Sequence, residues 1–359
     1  MHMKSNALHD NCFDVLRHLA ALMVIFDHHH SLSGGVEPEF FGLTSLGSIA
    51  VYMFFSISGY LITQSFERRK SNIEYAKKRF FRIYPGLVIC LIFTVYICCG
   101  MFGRLGFSDW ATSLEPVKTF FKVLCITGYG TVYLSSHGMN YFTTDYIFKD
   151  TMNGSLWTLF FEILEYIMIA LFLSVFRNKS LAIAIPLFLA IALLIYCNAV
   201  SVAHMKLISL GFLTIPFCMG ALLYLNRDKW LSSRSMKLMM FIFPWIMFYL
   251  SSFSPLFSDA LISMAVCLLT IVIGLTFKDP LIKGRFDFSY GIYIYAFPVQ
   301  QIVINELGMG FYTSMLLSIS ITFVLAVISW FFIEKPAIEW SRRVIKRPES
   351  VIPADRTLD

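Results

Sequence analysis

Charge is what this chain is short of. Only 14% of its 359 residues are charged, while 57% are hydrophobic; an ordinary soluble domain carries roughly a quarter charged residues. With a mean hydropathy of +0.68, the shortage excludes a soluble globular class and points to a chain that crosses the bilayer repeatedly. Short alternating strand patterns are missing too, so an outer-membrane barrel is set aside. The 36 Phe and 17 Tyr suit instead a helical bundle with aromatic belts at the membrane interfaces.

Paired cysteines are also lacking. None of the eight cysteines forms a CxxC pair, and Cys90, Cys98, Cys99, Cys197, Cys218 and Cys267 lie in apolar runs, where cysteine behaves as a small hydrophobe; neither disulfide nor metal is expected. The first apolar run follows a polar leader, residues 1–11, without a small-residue cleavage site, which reads as a retained first span. No linker rich in Pro, Gly or Ser and no internal repeat divides the chain. One membrane domain over residues 1–345 is expected, followed by a short cytoplasmic tail, 346–359.

What is present is a series of apolar runs long enough to span, at about 13–31, 46–65, 83–102, 155–176, 180–199, 207–225, 237–253, 259–277, 288–305 and 312–333. A further segment, about 115–127, is short and carries Lys118 and Lys122; it reads as an interfacial or re-entrant piece. Cations gather in alternate loops. Arg68, Arg69, Lys70, Lys77, Lys78, Arg79 and Arg82 follow the second run, and "SRRVIKRPES" follows the last. By the excess of Lys and Arg in cytoplasmic loops, both termini are cytoplasmic. The expectation is an all-α, polytopic membrane helical bundle of about ten transmembrane helices.

Ionisable groups inside such spans are costly and face a protein interior or a wet cavity. Four places carry them. In "DVLRHLAALMVIFDHHH", Arg17 and His28 are eleven residues apart, three helical turns and ~16 Å along one face. Arg17 either snorkels to the inner headgroups while the histidines end the span, or His28 serves as a base in a membrane cavity. In "NGSLWTLFFEILEY", Glu162 shares a face with Glu165 and Tyr166. It lies at a depth similar to His28, so the two could meet; the alternative is an interhelical hydrogen-bonded clamp.

In "AKKRFFRIYPG", Arg79 and Arg82 stand one turn apart at a helix start. They are topology signals that bind anionic lipid, or a clamp for phosphate groups. Finally, "FDFSYGIYIYAFPVQQ" holds Asp287, Ser289, Tyr290, Tyr293, Tyr295, Gln300 and Gln301. These are too many polar groups for lipid contact, and they line a cavity or pack against other polar helices.

Six motifs in order, "FDVLRHLAALMVIFDHH", "VYMFFSISGYLITQSF", "RFFRIYP", "SLWTLFFEILEY", "FSYGIYIYAFPVQQ" and "WFFIEKPA", resemble the acyltransferase-3 family of membrane acyltransferases. The resemblance runs over about residues 12–340. It implies ten spans, a single acyltransferase domain and an activity in bacterial surface-glycan modification. The family's basic residue, ten-residue gap and active histidine map onto Arg17 and His28. Asp27, His29 and His30 beside the histidine depart from the pattern, and the gap selects His28. The second-helix signature maps onto Phe54, Phe55, Ser58, Gly59 and Tyr60, and the paired arginines onto Arg79 and Arg82. The glutamate motif maps onto Glu162 with Trp157 and Tyr166, and the late segment onto Ser289, Tyr290 and Tyr293. No hydrolase-like domain follows the last span, as in stand-alone members.

The resemblance implies His28, Arg17 and Glu162 as catalytic, with His28 as base or as carrier of the acyl group, and Arg79 and Arg82 as binding acetyl-CoA, the acyl donor. Ser58, Gly59, Tyr60, Trp157, Tyr166, Ser289, Tyr290 and Tyr293 would line the substrate path, with no metal. The expected partners are acyl-CoA, a glycan or lipid-linked sugar such as O-antigen or exopolysaccharide, and membrane lipid in the bacterial inner membrane, with no nucleic acid. The rival reading is a proton-coupled or lipid-linked-sugar transporter using the same Arg, His and Glu groups. Paired inverted repeats with broken helices would favour it, and none is visible. A third is a structural or regulatory membrane protein with buried polar clamps.

Overall fold

The computed structural model describes residues 11–125, 145–149, 151–200 and 205–346. The expectations for the leader and the cytoplasmic tail fall outside these residues, apart from Asn11 and Lys346. Helix α1 (Phe13–Leu32) leads through an antiparallel ribbon, β1 (Glu39–Phe40) and β2 (Thr44–Ser45), into α2 (Leu46–Glu67). Then α3 (Asn72–Leu91) passes through a wide π-helical stretch, Ile92–Cys98, into α4 (Cys99–Phe102), followed by α5 (Phe107–Thr112) and α6 (Glu115–Leu124). A 3-10 turn, Gly154–Leu156, opens α7 (Trp157–Val175). The remainder is α8 (Lys179–Val200), α9 (Met205–Leu225), α10 (Arg227–Trp230), α11 (Arg234–Ser251), α12 (Ser258–Thr276), α13 (Ser289–Glu306) and α14 (Phe311–Ser329). A second π-helical turn, Trp330–Glu334, joins α14 to α15 (Lys335–Lys346).

A helix forms at every expected apolar run. Among the described residues, seven helices are long and apolar enough to cross a membrane: α2, α3 with α4, α7, α8, α9, α12, and α14 with α15. Helices α1, α11 and α13 occupy the other three runs, with polar residues such as Arg17, Lys237 and Gln300 among their apolar ones. Large apolar side chains face outward, including Phe188 and Leu189 on α8 and Phe243 and Trp245 on α11, as lipid contact requires. Helix starts are fixed locally: Ser45, Ser71 and Ser233 each accept a hydrogen bond from a backbone N–H three residues on, satisfying a donor the helix itself cannot.

Helix α2 lies at the centre, against α9, α1 and α12. Its crossing with α9 is backbone on backbone. A side chain at Gly59 would strike the Phe217 carbonyl, and one at Gly220 the Ser56 carbonyl; small residues are what let membrane helices approach so closely.

Proline 298 sets a second contact. It has no N–H, so the carbonyl of Ile294, four residues earlier, loses its helical donor. That carbonyl instead accepts from Asn153 Nδ2 at 2.8 Å and Cys90 Sγ at 3.2 Å. Left bare at this depth it would cost ~1–3 kcal/mol. The entry to α7 is thereby fastened to the middle of α13.

The segment expected to be interfacial or re-entrant runs back alongside α3. Trp110 Nε1 donates to the Val95 carbonyl at 2.8 Å, and beyond it Leu124 and Cys125 share a groove with Tyr84, Pro85 and Val88. The chain then rejoins the end of α13, where Gln301 Nε2 donates to the Phe148 and Thr151 carbonyls at 2.9 and 3.0 Å.

Candidate active site

Helices α1 and α13 pack side by side in the same direction, since Arg17 meets Asp287 at one end and Gln300 meets His29 and the Ile25 carbonyl at the other. Tyr290, Tyr293, Phe297 and Gln300 recur every three or four residues and so form one row along α13, with Asp287 just before its first turn. Tyr290 to Gln300 spans roughly 15 Å of axis.

The lower rungs wall a cavity of about 130 Å³. That is below the ~300–1,000 Å³ of a site for a whole drug-sized ligand, and it suits a narrow chain end. Arg17, Arg79, Arg82, Glu162, Tyr166, Ser58, Thr158, Ser289, Tyr290 and Tyr293 line it, with Phe54, Phe55 and Ile83 among its apolar walls. Three guanidinium groups therefore face one small space. Arg82 Nη2 donates to Asp287 Oδ2 at 2.6 Å and Nη1 lies 3.8 Å from Glu334 Oε2; its guanidinium stands 5.8 Å from the Tyr290 ring centre. Arg17 pairs with Asp14 and, at 3.2 Å, with Asp287 Oδ2.

Burial alone would raise the Asp287 carboxyl, but Arg17 and Arg82 beside it hold it well below the ordinary carboxylate range. Arg79 is held more loosely. Its guanidinium is 5.8 Å from the Tyr166 ring centre and 3.5 Å from Ser65 Oγ. Glu162 accepts a hydrogen bond from Tyr166, one turn along α7. At the upper rim, Thr158 Oγ1 and the Tyr293 hydroxyl meet at 2.8 Å.

One turn above Tyr293 the row reaches His28. Its imidazole stands edge-on to Phe297, ring centres 5.2 Å apart, and its buried Nδ1 has no hydrogen-bond partner. The Asp27 carboxylate sits against Gly47 at the start of α2, and its Oδ1 likewise has no hydrogen-bond partner. The two histidines that follow are anchored. His29 Nδ1 accepts from Gln300 Nε2 at 3.3 Å, so Nε2 carries the proton and donates to the Phe311 carbonyl at 3.1 Å, with Ser314 Oγ at 3.0 Å. His30 Nδ1 donates to the Phe26 carbonyl at 3.0 Å. Above His28 a polar groove opens, lined by Ser31, Glu37, Glu39, Ser45, Ser48 and Phe148. Phe148 packs on Phe297, ring centres 6.1 Å apart.

The structure thus gathers Arg17, Arg79, Arg82, Glu162, Ser58, Tyr166, Ser289, Tyr290 and Tyr293 around one cavity. Glu162 lines the cavity with the arginines and bonds Tyr166, and His28 is not among the residues that line that cavity. Gly59 is occupied in the crossing with α9. Tyr60 packs on Phe13 and Tyr224, and Trp157 on Phe161 and Phe212; neither lines the cavity. Asp287 was visible in sequence only as one polar group of its segment, and Glu334 only inside "WFFIEKPA". Their role as partners of Arg17 and Arg82 had no sequence signal beyond a carboxylate beside a span.

The profile of the family described as "Acyltransferase domain" matches residues 10–334. An O-acetyl transferase of Shigella phage Sf6 is 37% identical over 333 residues, which cover 90% of this chain and 95% of that protein. Nodulation protein 10 of Rhizobium leguminosarum bv. viciae is 26% identical over 369 aligned positions, 96% of this chain and 97% of that protein. No solved structure matches.

Proposed function

The chain belongs to the acyltransferase family, and from that premise we propose that it moves an acetyl group from acetyl-CoA to a hydroxyl of a bacterial surface polysaccharide. It is a multi-pass membrane O-acyltransferase. The observation that carries the finer reading is the row on α13: three guanidinium groups at its lower end and an unpartnered imidazole nitrogen near its upper end. Helices α1, α11 and α13 complete ten crossings of the bacterial inner membrane, with both termini and the arginine end cytoplasmic.

In this reading the donor approaches from the arginine side. The phosphates of coenzyme A are anions that planar guanidinium forks recognise, and the nucleotide stays outside a cavity that admits only the thioester arm. The acceptor approaches from the opposite side through the groove of Ser31, Glu37, Glu39, Ser45, Ser48 and Phe148. His28 takes the proton from the sugar hydroxyl. The oxygen attacks the thioester carbonyl carbon, the C–S bond breaks, and the departing thiolate receives that proton. Glu162 and Arg17 act on the donor side, where they line the cavity with Arg79 and Arg82.

The 37% identity to a phage O-acetyl transferase supports acetyl as the group moved. The test is to incubate membranes with radiolabelled acetyl-CoA and purified polysaccharide. Label is expected in polymer with the native chain and absent with His28→Ala at equal membrane abundance. A polymer that stays unlabelled with the native chain, while label crosses sealed vesicles, would establish the transporter reading instead.

A further inference from the structure

Asp287 stands where α1, α3 and α13 come together, and its carboxylate is fully engaged. Oδ2 accepts from Arg82 Nη2 at 2.6 Å and pairs with Arg17 Nη2 at 3.2 Å. Oδ1 accepts from Ser289 Oγ at 2.5 Å and from the Ser289 N–H at 3.3 Å, which fixes the carboxylate plane at the entry to α13. The residue is 8% exposed, so water screens this node weakly. Two guanidinium groups held at one oxygen repel each other, and in a low-dielectric interior that repulsion drives them apart once the carboxylate is gone.

The three arginines of the cavity are therefore not equivalent. Arg17 is shared between Asp14 and Asp287, and Arg82 between Asp287 and Glu334. Arg79, one turn before Arg82 on α3, forms no direct ion pair among the described residues; its contacts are Ser65 and the Tyr166 ring, and Glu162, which lines the same cavity, is shared electrostatically among all three arginines. A guanidinium that has an internal counter-ion gains little from a ligand anion. One that has no direct ion-pair partner gains more.

We propose that Asp287 is a positioning residue for the acyl donor: it locks Arg17 and Arg82 into the cavity wall and leaves Arg79 as the guanidinium that pairs with the donor's anionic groups. This rests on the assignment of the arginine end to acetyl-CoA. Asp287 touches neither donor nor acceptor and acts through the two arginines. A site preorganised in this way binds without first having to separate like charges.

Steady-state kinetics on the purified full-length chain, with acetyl-CoA varied at fixed acceptor, tests this. Arg79→Gln is expected to raise KM for acetyl-CoA by about tenfold or more, the scale of a lost charge-assisted hydrogen bond. Asp287→Asn is expected to raise KM by about tenfold with kcat changed less than about threefold, and Asp287→Glu to recover most of the loss. Because Asp287 acts through Arg82, the double variant Asp287→Asn with Arg82→Gln is expected to be no worse than Arg82→Gln alone. If Arg79→Gln and Arg82→Gln leave KM for acetyl-CoA unchanged, the donor assignment fails and this proposal fails with it. If they raise KM while Asp287→Asn lowers only the yield of folded protein, or if the Asp287 and Arg82 effects add, the positioning role alone is overturned. Asp287→Glu keeps the test decisive should Asp287→Asn not fold.

Discussion

The two ends of α1 solve the problem of polar groups in a membrane bundle in opposite ways. At the lower end Arg17 joins a cross-helix ion network with Asp14, Asp287, Arg82 and Glu334. At the upper end His29 is hydrogen-bonded to α13 and α14, while the Asp27 carboxylate packs against Gly47 at the start of α2. Between them His28 has an aromatic edge on one side and a bare Nδ1. The lower end gets its order from charge and the upper end from the hydrogen bonds of His29 and His30 beside an imidazole whose Nδ1 is unpaired. A side chain without a permanent partner is free to exchange a proton, while carboxylates fix two of the three arginines.

The sharpest way to break this contrast is to exchange the roles of adjacent histidines. His28→Ala should lower acetyl transfer by ~10²–10⁴-fold, the range for loss of a general base, with little change in thermal stability. His29→Ala should do the reverse, costing ~1–3 kcal/mol by orphaning buried partners, read as a lower unfolding temperature in detergent. A stability loss confined to His28→Ala would reverse the assignment.

Next in size is Glu162→Gln. Seated with the arginines, Glu162 should affect KM for acetyl-CoA by ~tenfold more than it affects the dependence on acceptor. A pure loss of kcat with both KM values intact would return Glu162 to the side of His28.

A smaller effect is expected from Asn153→Ala. It removes one of two donors to the Ile294 carbonyl and should cost ~1 kcal/mol in thermal stability, with acetyl transfer retained at low temperature. The smallest concerns pH. The Asp287 carboxyl is depressed by its arginines, so its contribution to stability is present above the usual carboxylate pKa of ~4 and is lost only as pH falls through its lower folded value. Lowering the pH from 7 to 5 should leave the lower end intact. An unfolding transition in that window that Asp287→Asn abolishes would contradict this.

Much of this arrangement is legible in the sequence because hydropathy reports position along a helix axis. Every apolar run became a helix, and the spacing of Arg17 and His28 gave their separation along α1 correctly. Depth, however, says nothing about which neighbour a helix face meets. Glu162 shares a cavity with the arginines of α3, which its position along α7 alone did not indicate. Gly59, Tyr60 and Trp157 belong to recognisable motifs whose residues serve packing as well as the cavity. The anchoring of His29 depends on partners up to 285 residues away, and no local pattern encodes those.

The missing N–H of Pro298 has a mechanical consequence. Because Asn153 and Cys90 grip the carbonyl it leaves bare, the root of α7, the middle of α13 and the third helix are pinned at one point, like three spars bolted through a common joint. Those spars hold one side of the cavity at a fixed width. On the facing side Phe54 of α2 meets the Tyr293 ring through an aromatic contact, centres 5.6 Å apart, so there the width is set by two side chains and their rotamers.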